Sequence, residues 1–267
     1  MLHLGYKHFT RRIHMFKKIA LAAALTATAS FATWDYFPVQ EAHKGQAEIH
    51  FDYMMQDDLS RGALSAGARY TIVQNFEAGV IVPFVLFTSW DGEDMKQDGL
   101  ANIQLMLRYQ FMPILNAFLD VEVPTCNEDL CGDDDPFGFH FGVQFSQKFG
   151  IVDFGSELGL ALETKGDDKT TPPWDMNLGL EADFAVSEMV VPYVGIDINM
   201  LLGKVTADGE NIGESHTGDM GIAPYLGLTF NINPMFYAGA QAQFCFGDDY
   251  YGEEMLTILT AKVGVNF

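Results

Sequence analysis

The side chains with acid–base chemistry stand mostly at alternate positions along the chain. Glu181 and Asp183 are two residues apart, a spacing that places both carboxylates on one face of a strand. Such a pair can transfer protons, attract a cation or neutralise a buried base. We interpret the two acids as lining of an interior, because the sequence offers them no catalytic partners.

The candidate nucleophile Ser146 does not stand within reach of the candidate base His140. His140 and Ser146 share a strand face but are six residues apart, roughly 20 Å along a strand, which is too far for a hydrogen-bonded nucleophile and base. The sequence also has no Gly-x-Ser-x-Gly motif, the usual setting of a hydrolase serine. We therefore predict that the chain is not an enzyme.

Cysteines and acidic runs could bind metal ions, but their pattern does not favour it. Acidic runs such as residues 91–94 could hold calcium through oxygen ligands, although such runs are typically solvated loop charge. Cys126 and Cys131 enclose a short acidic loop, and we predict a disulfide between them in an oxidising compartment. Two free thiols are the alternative, since so short a loop is sterically demanding. No metal and no cofactor is predicted.

The chain begins like an exported protein. An apolar run over residues 19–25 follows basic residues, and small residues lead from it to Ala32. We predict a secretory signal peptide over residues 1–32, with cleavage after Ala29 and a start at Met15 as alternatives. The apolar run is too short to cross a bilayer as a helix, which takes about 20 residues.

The remaining chain is strongly acidic and rich in apolar residues. The signal peptide removes five of the 15 Lys and Arg and none of the 36 Asp and Glu, which leaves 10 bases against 36 acids and a formal charge of −26. This charge argues against nucleic acid as a partner. Yet 48% of the chain is hydrophobic, with 22 Phe, and no apolar stretch is long enough for a membrane helix. If the protein enters a membrane, it does so as strands.

Period-two alternation is the dominant pattern from residue 46 onward. In one segment Phe139, Phe141 and Val143 share a face while His140 and Gln144 share the other. The pattern predicts twelve strands, approximately at residues 46–54, 63–72, 76–87, 99–111, 116–125, 137–146, 151–163, 176–186, 190–203, 218–230, 235–246 and 254–267.

The connections between these strands alternate in length. Five are short (73–75, 112–115, 149–150, 187–189 and 231–234), and six are longer and acidic (55–62, 88–98, 126–135, 164–173, 204–217 and 247–253). Bacterial outer-membrane barrels have short periplasmic turns and long outer loops. The sequence predicts an all-β, transmembrane, antiparallel up-and-down β-barrel of about 12 strands over residues 46–267. Residues 33–45 would form a periplasmic or lumenal segment.

Composition decides which face of the barrel is predicted to meet lipid. The strands of a soluble sandwich or lipocalin-like barrel would also alternate polar and apolar residues, but their solvent-exposed face would be rich in Lys, Thr and Ser. Here the polar face carries Gly, Glu, Asp, Gln and Asn, and aromatics such as Tyr109 and Trp174 stand near strand ends, where interfacial girdles lie. The terminal alternating strand, with Phe267 last, resembles the recognition signal of the barrel-assembly machinery. Outer-membrane lipid and that machinery are the predicted partners.

One segment resembles a known family. Residues 99–111 end in Arg108-Tyr109-Gln110-Phe111, and the next predicted strand ends in Pro124-Thr125. The segment resembles outer-membrane transporters related to phenol meta-pathway degradation, although Cys126 stands where that family has Gly. The resemblance covers about a fifth of the chain and implies a transporter-like barrel with an unknown solute.

The lumen is where function is expected. The predicted register turns a set of polar side chains inward, among them Arg69, Arg108, Glu122, His140, Glu157, Glu181, Asp183 and Asp197. Since acids outnumber bases, a water-filled, cation-attracting interior is one hypothesis, and a plug of ion pairs without conduction is the other. We predict passage of a small solute across the outer membrane. The alternative is a non-conducting structural or adhesive barrel that acts through its acidic loops.

Overall fold

The computed structural model describes residues 39–132, 136–166, 169–212 and 215–267. The predicted signal peptide and residues 33–38 lie outside these ranges. Twelve long strands form the fold: β1 (Gly45–Gln56), β2 (Leu59–Val73), β3 (Phe76–Trp90), β4 (Ile103–Met112), β5 (Leu115–Val123), β6 (Gly138–Phe149), β7 (Val152–Glu163), β8 (Trp174–Phe184), β9 (Val190–Leu202), β10 (Met220–Asn231), β11 (Phe236–Cys245) and β12 (Leu256–Asn266).

The sheet closes on itself. Each strand pairs antiparallel with its neighbours in sequence, and β1 also pairs with β12 from Gln46↔Asn266 to Met55↔Thr257. Closure gives every strand two partners, so no edge is left with unpaired backbone groups. The predicted twelve-stranded antiparallel barrel is confirmed.

One predicted connection is wrong. Residues 55–62 were expected to form a long loop, but β1 and β2 continue to Gln56 and Leu59 and are joined by the two-residue turn Asp57-Asp58. Asp57 adopts a φ of 48°, a conformation that Asp tolerates in tight turns. The charge of this segment suggested a loop, whereas inward contacts of Gln56 and Arg61 keep it in the sheet.

The long connections at the opposite end from the short turns carry little regular structure. Two-residue strands occur at 93–94, 99–100, 170–171, 206–207 and 210–211. The short helix α1 (Glu128–Cys131) begins at Asn127, whose side-chain oxygen accepts a hydrogen bond from the backbone N–H of Asp129. No helix among the described residues is both long and apolar enough to span a bilayer.

The outward face of the twelve strands is apolar. Leu158, Val194 and Leu226 are 50–55% exposed, and the strands carry no Asp, Glu, Lys or Arg at an outward position. Exposed aromatic side chains stand near both strand ends, including Tyr70, Tyr109, Phe149 and Phe236 toward the short turns and Phe87, Phe137, Trp174 and Phe246 toward the long loops. An uncharged belt between two aromatic girdles is the surface of an outer-membrane barrel, and it places the protein in the bacterial outer membrane.

Candidate functional site

All charged side chains of the twelve long strands face the interior of the barrel. The inward face carries twelve carboxylates (Glu48, Asp52, Glu77, Asp120, Glu122, Asp153, Glu157, Glu163, Asp175, Glu181, Asp183 and Asp197) and five bases (Arg61, Arg69, Arg108, Lys148 and Lys262). The twelve long strands therefore hold seven more carboxylates than lysines and arginines, and two inward histidines, His50 and His140. Charges inside a membrane protein are expensive unless they are paired, hydrogen-bonded or hydrated, so their partners define what the interior can do.

One group of side chains is well paired. The Arg108 guanidinium binds Asp120 through both terminal nitrogens, with Nη2 3.2 Å from Oδ2, and lies 5.1 Å from the centre of the Phe118 ring. His140 stands between Asp120 and Glu157, with Nδ1 3.7 Å from Asp120 Oδ2 and Nε2 3.5 Å from Glu157 Oε1. These contacts join β4, β5, β6 and β7.

Amides complete this group. Gln144 Nε2 donates to Glu157 Oε2 at 2.7 Å, and Asn177 Nδ2 donates to Glu157 Oε1 at the same distance. Asn177 Oδ1 is 2.8 Å from His140 Nε2. The two side chains meet over Gly159, where an added Cβ would lie 2.2 Å from the Asn177 oxygen. His140 thus contacts acids and an amide rather than Ser146, and the expectation that the chain is not an enzyme stays a prediction.

A second paired group lies around β1. His50 contacts both neighbouring acids on its strand, with Nε2 3.1 Å from Asp52 Oδ2 and Nδ1 3.7 Å from Glu48 Oε1. Arg69 Nη1 stands 3.6 Å from Glu77 Oε1. Of the other predicted residues, Glu122 accepts a hydrogen bond from Asn102 at 2.9 Å near the outer end of β5.

The acids of β8 and β9 form a third group with fewer partners. Asp197 accepts a hydrogen bond from Gln243 at 2.9 Å. Glu181 is 1% exposed, yet neither of its carboxylate oxygens has a hydrogen-bond partner among the described residues, and the same holds for Asp183 Oδ1. Lys262, on the inward face of β12, directs its ammonium over the Tyr193 ring of this wall, 5.6 Å from the ring centre. The structure thus brings Glu181 and Asp183 together on one wall, as the alternation predicted.

Tyrosines lying over glycines build the rest of this wall. The Tyr225 ring crosses Gly195 and the Tyr193 ring crosses Gly227, where an added Cβ would lie 2.1 and 2.2 Å from the respective Cζ atoms. The Tyr225 hydroxyl is directed toward Glu181 without reaching hydrogen-bond geometry. Sequence reasoning missed these tyrosines, although each stands directly opposite an inward glycine of the adjacent strand.

The outer end of the lumen is filled from the loop between β11 and β12. Tyr251 is 2% exposed and packs with inward apolar side chains from four strands, namely Met54, Ala223, Cys245, Leu256 and Ile258. Its hydroxyl accepts a hydrogen bond from Asn199 Nδ2 at 3.2 Å, and Gln56 Nε2 donates to its carbonyl at 2.7 Å. Tyr250 donates to Asp175 on β8. Burial and that carboxylate raise the pKa of the Tyr250 hydroxyl, so the phenol keeps the proton that it donates.

The disulfide-closed loop covers the opposite side of the outer end. Cys126 and Cys131 are bonded, as predicted. The loop carries α1, whose Leu130 packs on inward Val85 and on Ala101. Two loops therefore reach into the lumen from its outer end, a feature that strand alternation alone does not reveal.

Comparison with known proteins supports the fold. Neither a protein-family model nor a curated protein matches the sequence. An outer membrane channel from Pseudomonas putida F1 has a TM-score of 0.69 at 13% identity over 88% of this chain and 98% of that one. The translocator domain of the autotransporter NalP from Neisseria meningitidis has a TM-score of 0.59 at 12% identity, over 94% and 97%. The porin NanC has a TM-score of 0.50 at 9% identity, over 83% and 98%.

These similarities concern the outer-membrane barrel architecture. Identities of 9–13% leave the solute open, and the link to phenol meta-pathway degradation stays a prediction.

Proposed function

We propose that the barrel passes a small polar solute across the outer membrane and favours cations. The observation that carries this proposal is the charge imbalance of the interior. A plug made of ion pairs would balance its charges, whereas here twelve strand carboxylates exceed the five lysines and arginines and the two histidines of the inward face together. Uncompensated charges inside a membrane protein typically mark an ion or substrate pathway, and rings of acids favour cations.

The loop contacts at the outer end make this a gated path. Tyr251 and Leu130 fill the lumen from two sides in this conformation. Solute passage therefore requires movement of the loop over residues 246–255, which is held by the Asn199 and Gln56 hydrogen bonds. The channel is proposed to open when Tyr251 leaves its apolar contacts.

Planar-bilayer recording of the refolded barrel tests the proposal. We expect cation-selective current steps, and we expect Tyr251→Ala to increase the open fraction. Tyr109→Ala is the matched control, because Tyr109 is 55% exposed on the outer surface and touches no part of the path. Silence from folded wild-type and Tyr251→Ala barrels would favour the non-conducting structural or adhesive alternative.

A further inference from the structure

Glu181, on the β8–β9 wall, differs from the other inward acids because both of its carboxylate oxygens lack a hydrogen-bond donor among the described residues. Glu157 and Asp120 each accept hydrogen bonds from neighbouring side chains. Both oxygens of Glu181 and one of Asp183 lack such a partner among the described residues, although Glu181 is 1% exposed. A buried carboxylate without donors is strongly destabilising, so a donor that reached Glu181 and Asp183 would stabilise this wall.

The charge of the wall specifies a cationic donor. Glu181 and Asp183 are successive inward residues of β8. The inward residue before them on β8 is Gly179, which pairs with Asp197 on β9, so the three acids are neighbours on the inward face. Lys262 is the base that acts on Glu181 and Asp183. One base against three acids leaves room for a further positive charge.

The aromatic side chains show which cation fits. Tyr193 and Tyr225 stand beside the acids, with ring centres 6.4 Å apart. The Lys262 ammonium already lies 5.6 Å from the Tyr193 ring centre, so the wall accommodates an alkylammonium over a tyrosine face. An ammonium with three N–H donors matches the unpartnered oxygens of Glu181 and Asp183 better than a monatomic cation does.

An approach to this wall exists at the end of the short turns. Asp153 pairs with Asp183 across β7 and β8, and its side chain is 41% exposed, beside Lys148 at 3.7 Å. Asp153 is thus the exposed end of a row of acids that continues inward through Asp183 to buried Glu181. Glu181 is 1% exposed, and low access to solvent strengthens charge-assisted hydrogen bonds.

We propose that Glu181, Asp183 and Tyr225 form a lumenal binding site for the primary ammonium group of a small organic amine. The inference rests on the proposed function, because it names the solute class that the path would favour. The ammonium donates to the oxygens of Glu181 and Asp183, its alkyl part contacts the Tyr225 ring, and Lys262 remains over Tyr193.

Binding of n-butylammonium to the refolded barrel tests the site without requiring conduction. Its effect on the thermal unfolding midpoint is titrated at constant ionic strength, with sodium and tetramethylammonium chloride as reference salts. We expect saturable stabilisation by n-butylammonium alone. Glu181→Gln should weaken the apparent affinity about 10-fold or more, as expected for loss of a charge-assisted hydrogen bond. The matched control Asp153→Asn, which removes an acid at the exposed rim, should change it less than about threefold.

Lys262→Met gives a readout that a structural role would not produce. It removes the cation that competes for the wall, so n-butylammonium should bind more tightly than to the wild type. Equal effects of the three salts, or equal affinities of the wild-type and Glu181→Gln barrels, would overturn the site. If Glu181→Gln does not refold, Asp183→Asn replaces it with the same expectation.

The outcome for this site is separable from that for the channel. A barrel that conducts but shows no selective n-butylammonium binding keeps the proposed function and rejects the amine site. A silent barrel that binds n-butylammonium through Glu181 keeps the site and rejects conduction.

Discussion

A lysine on the outward face of β10 would test whether that face meets lipid. Leu226 is the seventh of the twelve residues of β10 and lies opposite Val194 on β9 and Ala242 on β11. Its side chain is 55% exposed. In a water-soluble protein, a lysine at so exposed a position would change stability by about 0.5 kcal/mol or less. At the middle of a lipid-facing strand it costs about 2–4 kcal/mol.

This difference is large enough to measure. A loss of about 2–4 kcal/mol lowers the folding equilibrium constant roughly 30- to 700-fold. Urea unfolding of Leu226→Lys and wild-type barrels in phospholipid vesicles, followed by tryptophan fluorescence, reports the change directly. The matched control is Ile232→Lys, since Ile232 is 54% exposed but lies in the short turn after β10, where we expect a loss of about 0–1 kcal/mol.

The comparison of the two variants decides the result. Because the two side chains are almost equally exposed, only their depth in the bilayer separates them. Equal losses for the two variants, or no loss for Leu226→Lys, would refute the assignment of the apolar face to lipid.

Two further predictions concern the interior. Asp120→Asn leaves Arg108 buried without its anionic partner, so the free energy of unfolding should fall by about 3–5 kcal/mol in urea titrations, and Arg108→Met combined with Asp120→Leu should restore most of it. Gly264→Ala places a Cβ about 2.1 Å from Tyr237 Cζ and should displace the hydroxyl that donates to Glu48 at 2.8 Å, with a loss of about 1–3 kcal/mol. The control is Ala261→Gly, which also changes one methyl group on β12 but on its exposed outward face.

Each of these predictions can fail in a distinct way. A double variant at Arg108 and Asp120 that is no more stable than Asp120→Asn would show that the unpaired charge is not the cause of the loss. A Gly264→Ala barrel with wild-type stability would show that the Tyr237 ring does not need its glycine slot.

Much of the fold follows from the sequence. Alternation places Glu48, His50 and Asp52 on one face and Ile49 and Phe51 on the other whatever the neighbouring strand is, because successive side chains of an extended chain point in opposite directions. The twelve strands and their approximate ends follow from this local property. The exception at residues 55–62 arose because acidic residues resemble a loop when the partner strand is unknown.

Which inward side chains form hydrogen bonds or ion pairs with each other was decided by the tertiary structure. Asp120 and Glu181 look alike in sequence, as acids at inward positions of alternating strands. The register of the β4–β5 hairpin gives Asp120 the Arg108 guanidinium, while the Tyr225 that stands near Glu181 comes from β10, a strand that is not paired with β8. The stagger of the closed sheet depends on strands far apart in the chain, so no local pattern encodes it.

The closure of the outer end depends on tertiary structure as well. Tyr251 belongs to an acidic loop that the sequence predicts to be exposed to solvent. Its ring nevertheless packs on Met54, which lies almost two hundred residues earlier in the chain. Alternation is written in the order of neighbouring residues, so the sequence by itself determined which side chains face lipid and which face inward. The inward contacts that join the two ends of the chain, such as Tyr237 with Glu48 and Thr260 with Asp52, are set by strands far apart in the sequence and exist only once the barrel has closed.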